Sequence, residues 1–161
     1  MNIYLIGMPG CGKSSIGIAL SKLINYELID LDKYIENKSD LSISSIFELY
    51  GEQRFRALEK EALNDFMSKD NYIISCGGGI IGDLSNKSLM NGKVVFIDVD
   101  INLLKERIAN DKVNIRPMFK TKTVEQLYSE RIEKYNYFMD VKVNNYDVLE
   151  SAKEIIKELG L

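Results

Sequence analysis

Eight residues near the start of the chain limit its fold more than any others. Gly7-Met8-Pro9-Gly10-Cys11-Gly12-Lys13-Ser14 fits the pattern G-x-x-x-x-G-K-[ST]. Phosphate oxygens need several donors at close range, and glycines let successive backbone N–H groups turn toward one anion. The helix that follows such a loop presents its N-terminus to the same anion. Lys13 then reaches the β- and γ-phosphates, and the Ser14 hydroxyl ligates Mg²⁺. This geometry demands a strand before the loop and a helix after it. Asn2 to Ile6 is a short apolar run ending at Gly7, and Lys13 to Ile24 carries Ile16, Ala19, Leu20, Leu23 and Ile24 at helical spacing. Both requirements are met, and they predict a nucleotide-phosphate function.

The chain has 161 residues, which fits one domain spanning 1–161. Hydrophobic residues at 45% and charged residues at 28% match an ordinary globular protein and exclude a disordered, collagenous or disulfide-built one. A net charge of −3 without a long basic run argues against nucleic acid as a partner. Histidine is absent, so mechanisms that need a His base, a Ser-His triad or a His-ligated metal are excluded. Cys11 and Cys76 cannot form a zinc site alone and favour a reducing compartment. Ile3 to Met8 is too short to span a bilayer and has no basic leader, so no membrane association is expected. The expected location is the cytoplasm, and the expected state a monomer.

Further along, Glu27–Asp30 reads as a strand and Leu31–Asn37 as a helical turn or two. Ser42 is an N-cap for Ile43, Ile46, Phe47 and Tyr50 at helical spacing, stopped by Gly51. Glu52 to Met67 reads as a longer amphipathic helix. Strands follow at Asn71–Ser75, Lys93–Val99 and Val141–Asn144; helices follow at Leu84–Met90, Ile101–Ala109, Val124–Met139 and Val148–Leu159. Residues 110–121, with Arg116-Pro117, show no periodicity and read as a loop. Strands alternate with helices and are short and apolar throughout, which predicts an α/β fold with a parallel sheet covered on both faces.

Several groups lie where doubly wound sheets bind ligands, at the carboxyl ends of strands. Asp30 and Asp32 form D-x-D after the second strand and, on an extended segment, would face one side. Their plain alternative is a solvated loop pair. Arg54, Arg56 and Glu59 fall around one helical turn, where a salt-bridged surface helix is the ordinary reading. Gly77-Gly78-Gly79 after the third strand is costly unless something approaches the backbone closely or the chain turns sharply. Ser75 either caps its strand or holds a Mg²⁺-bound water. Arg116 and Arg131 taken singly carry little, since lone arginines are mostly solvated.

Taken in order, GMPGCGKSS at 7–15, LIDLD at 28–32, IFELYGEQRFRALE at 46–59, SCGGG at 75–79, IRPMF at 115–119 and RIEKY at 131–135 resemble the shikimate kinase family over nearly the whole chain. The phosphate loop alone is common to many nucleotide enzymes; the G-E-x-x-F-R-x-x-E string, the triple glycine and the lid Arg-Pro are more specific. The resemblance implies a three-layer, nucleoside-monophosphate-kinase-like P-loop fold with five parallel strands and a mobile lid over about 110–121. It implies transfer of phosphate from MgATP to the 3-hydroxyl of shikimate, in aromatic amino acid biosynthesis. By that resemblance Gly10, Cys11, Gly12, Lys13, Ser14 and Ser15 contact ATP together with Arg107 and the lid arginine Arg116. Asp32 holds the acceptor hydroxyls, and Asp30 with Ser14 serves Mg²⁺. Arg56 and Arg131 hold the shikimate carboxylate, with Glu59 orienting Arg56. Gly77, Gly78 and Gly79 give close backbone contact, and Phe47 and Phe55 line the pocket. Lys13, Asp32 and Arg116 are the catalytic set. Met118 follows Pro117 where the family often has Leu, Glu133 stands at a usual proline, and the Arg107 to Arg116 spacing is about two residues long. Another small-molecule or nucleotide kinase, with a gluconate kinase as the nearer case, and a non-enzymatic nucleotide switch are the competing readings.

Overall fold

The computed structural model describes residues 1–111, 119 and 121–161. Arg116 and Pro117 of the expected lid lie outside the described residues. Five strands, β1 (Asn2–Ile6), β2 (Glu27–Asp30), β3 (Tyr72–Ser75), β4 (Gly92–Asp98) and β5 (Val141–Asn144), form one sheet in the order β2-β3-β1-β4-β5. Every pairing is parallel. The central position of β1 explains its composition: all five of its residues are buried. The edge strands β2 and β5 are only partly covered and correspondingly mixed in polarity.

The helices are α1 (Lys13–Ile24), α2 (Leu31–Ser39), α3 (Ile43–Asp65), α4 (Ile101–Asn110), α5 (Val124–Phe138) and α6 (Val148–Leu159). α1 packs on α6, and α5 lies against β4. Tyr135 of α5 stacks on Phe96 of β4, with ring centroids 4.7 Å apart and planes 14° from parallel. Around β2 and α3, Phe66 meets Tyr34 and Tyr72 edge-on at 5.1 and 5.2 Å. No helix among the described residues is long and apolar enough to cross a membrane.

The differences from the sequence reading are local. The helix expected at 84–90 is a 3-10 helix, Leu84–Leu89, preceded by a 3-10 turn at Ile80–Gly82. α2 runs on to Ser39 and ends at Asp40, in the left-handed region at φ 55°. The D-x-D pair does not lie on one extended segment. Asp30 ends β2 and caps α2 by accepting a bond from the Lys33 N–H, so the helix begins at once and Asp32 stands in its first turn.

The two helices expected on either side of Gly51 are the halves of α3, broken where Gly51 takes φ 81° and ψ 173°. That region of backbone space is essentially open only to glycine. No heavy atom lies within 4 Å of where a Cβ would stand at Gly51, so backbone strain alone sets the cost of a side chain there. Gly51→Ala is expected to destabilise by about 1–3 kcal/mol in urea unfolding. Gly82→Ala, equally open but in ordinary backbone, should change stability by under about 0.5 kcal/mol. Equal effects at both positions would refute the strain at Gly51.

Candidate active site

The parallel arrangement brings the carboxyl ends of all five strands to one edge. Ile6, Asp30, Ser75, Asp98 and Asn144 close their strands there, and Ser75 pairs in register with both Leu5 and Asp30. The phosphate loop leaves β1 at Gly7. Its side chains Met8 and Cys11 are buried and anchor it, and the Cys11 N–H donates to the Met8 carbonyl at 3.1 Å. Lys13 Nζ is held over the loop by the carbonyls of Gly7 (2.9 Å) and Met8 (3.1 Å). Gly12 sits in the left-handed region at φ 97° and begins α1 with no side-chain cap. The other α-helices among the described residues all start on a side-chain cap: Asp30, Ser42, Asp100, Thr123 and Asp147. The N–H groups at the start of α1 are thus left for an anion, and no acidic residue stands in that turn to repel one. Ser14 and Ser15 are exposed at the same end.

Beside the loop opens a cleft of about 670 Å³. All nine residues expected to bind the acceptor line it: Asp32, Phe47, Phe55, Arg56, Glu59, Gly77, Gly78, Gly79 and Arg131. They come from α2, both halves of α3, the turn after β3, and α5. Phe47 and Phe55 approach across the break at Gly51, with centroids 4.9 Å apart, and make one apolar wall. Ile43 and Ser44 also line the cleft.

The triple glycine explains how the charged groups fit. A Cβ on Gly77 would lie 3.0 Å from Asp32 Oδ1, one on Gly78 2.8 Å from Arg131 Nη1, and one on Gly79 2.5 Å from Arg56 Nη1 and Nη2. Each glycine leaves room for one charged side chain directly against its backbone. The Gly78 site is also 3.6 Å from Pro9 Cγ, so the cleft abuts the phosphate loop.

Charge in the cleft is only partly paired. Arg56 Nη1 donates to Glu59 Oε1 at 2.5 Å, and Nη2 to Glu52 Oε1 at 3.3 Å. Arg131 Nη1 is buried and makes no hydrogen bond of good geometry, although the Tyr135 hydroxyl interacts with the same guanidinium; Asp32 Oδ1 and Glu59 Oε2 are likewise buried without a partner. Burial raises the Asp32 pKa above the usual carboxylate range, with Asp30 and Glu36 adding to it and Lys13 and Arg56 opposing. Burial pushes Glu59 up to about 7 against the pull of Arg56. Arg54, the other arginine of that turn, instead pairs with Glu61 on the exposed side of α3.

Arg107 reaches the phosphate loop from α4, donating to the carbonyls of Cys11 (3.5 Å) and Asn145 (3.1 Å). Three further residues support the site without forming part of any motif. Asn145 donates from Nδ2 to the Cys11 carbonyl at 2.8 Å. Tyr128 donates to Asp98 Oδ2 at 3.2 Å, which with the Tyr135–Phe96 stack holds α5 on β4 to either side of Arg131. The signal for Asp98 and Asn145 in the sequence is position alone: polar residues at or just past the carboxyl ends of parallel strands. Asp30 Oδ1 is engaged by its helix cap. With the Ser14 hydroxyl it offers hard oxygen donors of the type Mg²⁺ takes alongside phosphate oxygens and water. The described residues hold no cluster of three His, Cys, Asp or Glu that would bind a metal by themselves.

The raised Glu59 pKa has a defined sign. The folded chain keeps the proton up to about 7, and a glutamate in the unfolded chain loses it near 4.5. The Glu59 contribution to stability is therefore fullest below 4.5 and is lost as pH rises through about 7. Glu59→Gln removes that titration. The melting temperature of the parent relative to Glu59→Gln should fall between about pH 4.5 and about pH 7. A difference that stayed flat or grew with pH would show that Glu59 is ionised throughout.

A family model described as shikimate kinase matches residues 9–160. The chain is 37% identical over 147 residues to a shikimate kinase of Sulfurihydrogenibium sp., covering 89% of this chain and 87% of that one. It superposes on the crystal structure of shikimate kinase from Bacteroides thetaiotaomicron with a TM-score of 0.87 at 28% identity, covering 100% and 99% of the two chains. Against the Acinetobacter baumannii shikimate kinase in complex with shikimate, the TM-score is 0.85 at 30% identity, with 98% and 91% covered. With that fold, that phosphate loop and that cleft, the chain belongs to the shikimate kinase family.

Proposed function

We propose that this protein transfers the γ-phosphoryl group of ATP to the 3-hydroxyl of shikimate, within aromatic amino acid biosynthesis. The observation that carries the acceptor is Arg131. Its Nη1 is buried without a hydrogen bond of good geometry in the same cleft that Arg56 enters from α3. Guanidinium forks suit a planar carboxylate, and a buried donor without an acceptor is costly, so a carboxylate-bearing acceptor completes both arginines. The Phe47–Phe55 wall suits the apolar face of a carbocyclic ring.

The chemistry follows from charge and position. Phosphoryl transfer passes through a loose transition state and needs little early proton abstraction. Asp32 orients the acceptor hydroxyl and takes its proton as the new P–O bond forms and ADP leaves. Its raised pKa brings it nearer to neutrality, as a general base requires. Lys13 neutralises charge on the β- and γ-phosphates, joined by Arg116 from the lid. Gly10, Cys11, Gly12, Ser14 and Ser15 hold ATP with Arg107. Ser14 and Asp30 hold Mg²⁺, which supplies charge neutralisation on the phosphates when bound. Gly77, Gly78 and Gly79 bring backbone against the acceptor, and Glu59 orients Arg56. The proposal includes a monomer in the cytoplasm, the reducing compartment that free Cys11 and Cys76 favour.

A coupled ADP-release assay over a panel of acceptors tests the reaction. Turnover is expected on shikimate, and equal turnover on gluconate, AMP or CMP would overturn the proposal. Lysine cannot reproduce a guanidinium fork. Arg56→Lys and Arg131→Lys should each weaken shikimate binding by at least about tenfold, or roughly 1.4 kcal/mol, with far less effect on ATP. Parent-like shikimate titrations by calorimetry would remove the clamp. Arg116→Ala should lower kcat strongly with little change in shikimate affinity. Normal kcat with impaired shikimate binding would reverse that assignment.

A further inference from the structure

We infer that Asn145 is a positioning residue for the phosphate loop, aligning the Gly12 N–H on the anion by holding the Cys11 carbonyl from behind. The inference rests on the reading of residues 7–14 as the ATP phosphate loop.

Asn145 lies just past β5 and is 1% exposed. Every polar group it carries is engaged. Its N–H donates to the Asp98 carbonyl at 2.8 Å, and its own carbonyl accepts from Arg107 Nη2 at 3.1 Å. Its Oδ1 accepts from Ser151 Oγ at 3.3 Å, and its Nδ2 donates to the Cys11 carbonyl at 2.8 Å. The amide cannot be turned around, because that would set its oxygen against the Cys11 oxygen, with no donor between two acceptors.

A trans peptide points its C=O and the following N–H in opposite directions. A Cys11 carbonyl tied to Asn145, with Arg107 Nη1 at 3.5 Å, therefore directs the Gly12 N–H away from Asn145. Gly12 also explains the fit. A Cβ there would lie 2.2 Å from Asn145 Nδ2, so the amide lies directly against the glycine. Donors fixed before the anion arrives cost no reorganisation on binding. The bond touches a single peptide of the loop. β5 and α6 are seated by other residues, Val143, Ala152 and Ile155, which are fully buried.

The test compares Asn145→Asp and Asn145→Ala with the parent by calorimetric titration of ADP, inorganic tripolyphosphate and shikimate. The aspartate keeps the shape but presents an acceptor to the Cys11 oxygen. It should weaken ADP and tripolyphosphate by at least about tenfold each, and leave shikimate within about twofold. The alanine should give a smaller loss of the same pattern, since Arg107 still reaches the Cys11 carbonyl. That variant carries the test if the aspartate does not fold. Unchanged ADP affinity, a parallel fall in ADP and shikimate, or a loss for ADP without one for tripolyphosphate would each overturn the inference. A parent that binds neither ADP nor tripolyphosphate would overturn the reading of the loop itself.

Discussion

The backbone N–H groups at the start of α1 have no side chain to satisfy them, and the architecture around them follows from that one feature. A helix start can be left open in this way only if something else holds the chain in place. Here β1 does so, buried along its whole length between β3 and β4. Met8 and Cys11 pin the loop from below, and Lys13 folds back over its carbonyls. A fully buried strand delivers the loop, and Arg107 and Asn145 from distant segments hold its Cys11 carbonyl.

The cleft beside the loop obeys a different rule. Arg56, Arg131 and Asp32 need to meet close to the phosphate loop, and ordinary side chains between them would keep them apart. The turn after β3 removes that obstacle by offering three successive glycines, one under each group. A β-carbon on Gly78 would meet both Arg131 and Pro9, so the cleft and the phosphate loop adjoin at this glycine. A single β-carbon at any of the three would meet a charged group at 3.0 Å or less.

Electrostatics in the cleft are poised rather than neutral. Glu59 is buried deeply enough that ionisation is resisted up to about 7, although Arg56 lies 2.5 Å away. Asp32 is pushed the same way by burial. Arg131 supplies positive charge with one donor unspent. The arrangement leaves a guanidinium donor available and keeps a buried carboxyl of raised pKa in the same cleft.

The motifs and the periodicity were sufficient for the architecture. A loop of residues 7–14 between an apolar run and a helical repeat dictates a parallel strand and an anion-binding helix start, because glycine freedom and helix polarity are local properties. The ordered motifs also named nine of the eleven residues that line the cleft, missing Ile43 and Ser44. Other features depended on how distant segments meet. The D-x-D pair looked like one face of a strand, and only the cap from Asp30 to the Lys33 N–H divided it between strand and helix. The break in α3 shows as a glycine, but its meaning, two phenylalanines brought to 4.9 Å, exists only in three dimensions. Asn145, Asp98 and Tyr128 carry no motif, since hydrogen bonds across 30 to 134 positions leave no spacing to read. Local chemistry and helix or strand period are written along the chain, so the sequence determined the fold, the phosphate loop and the residue types of the cleft. Which groups were left unpaired, and which were clasped from behind, only the tertiary structure decided, because burial and the direction of a buried donor are properties of neighbours rather than of order.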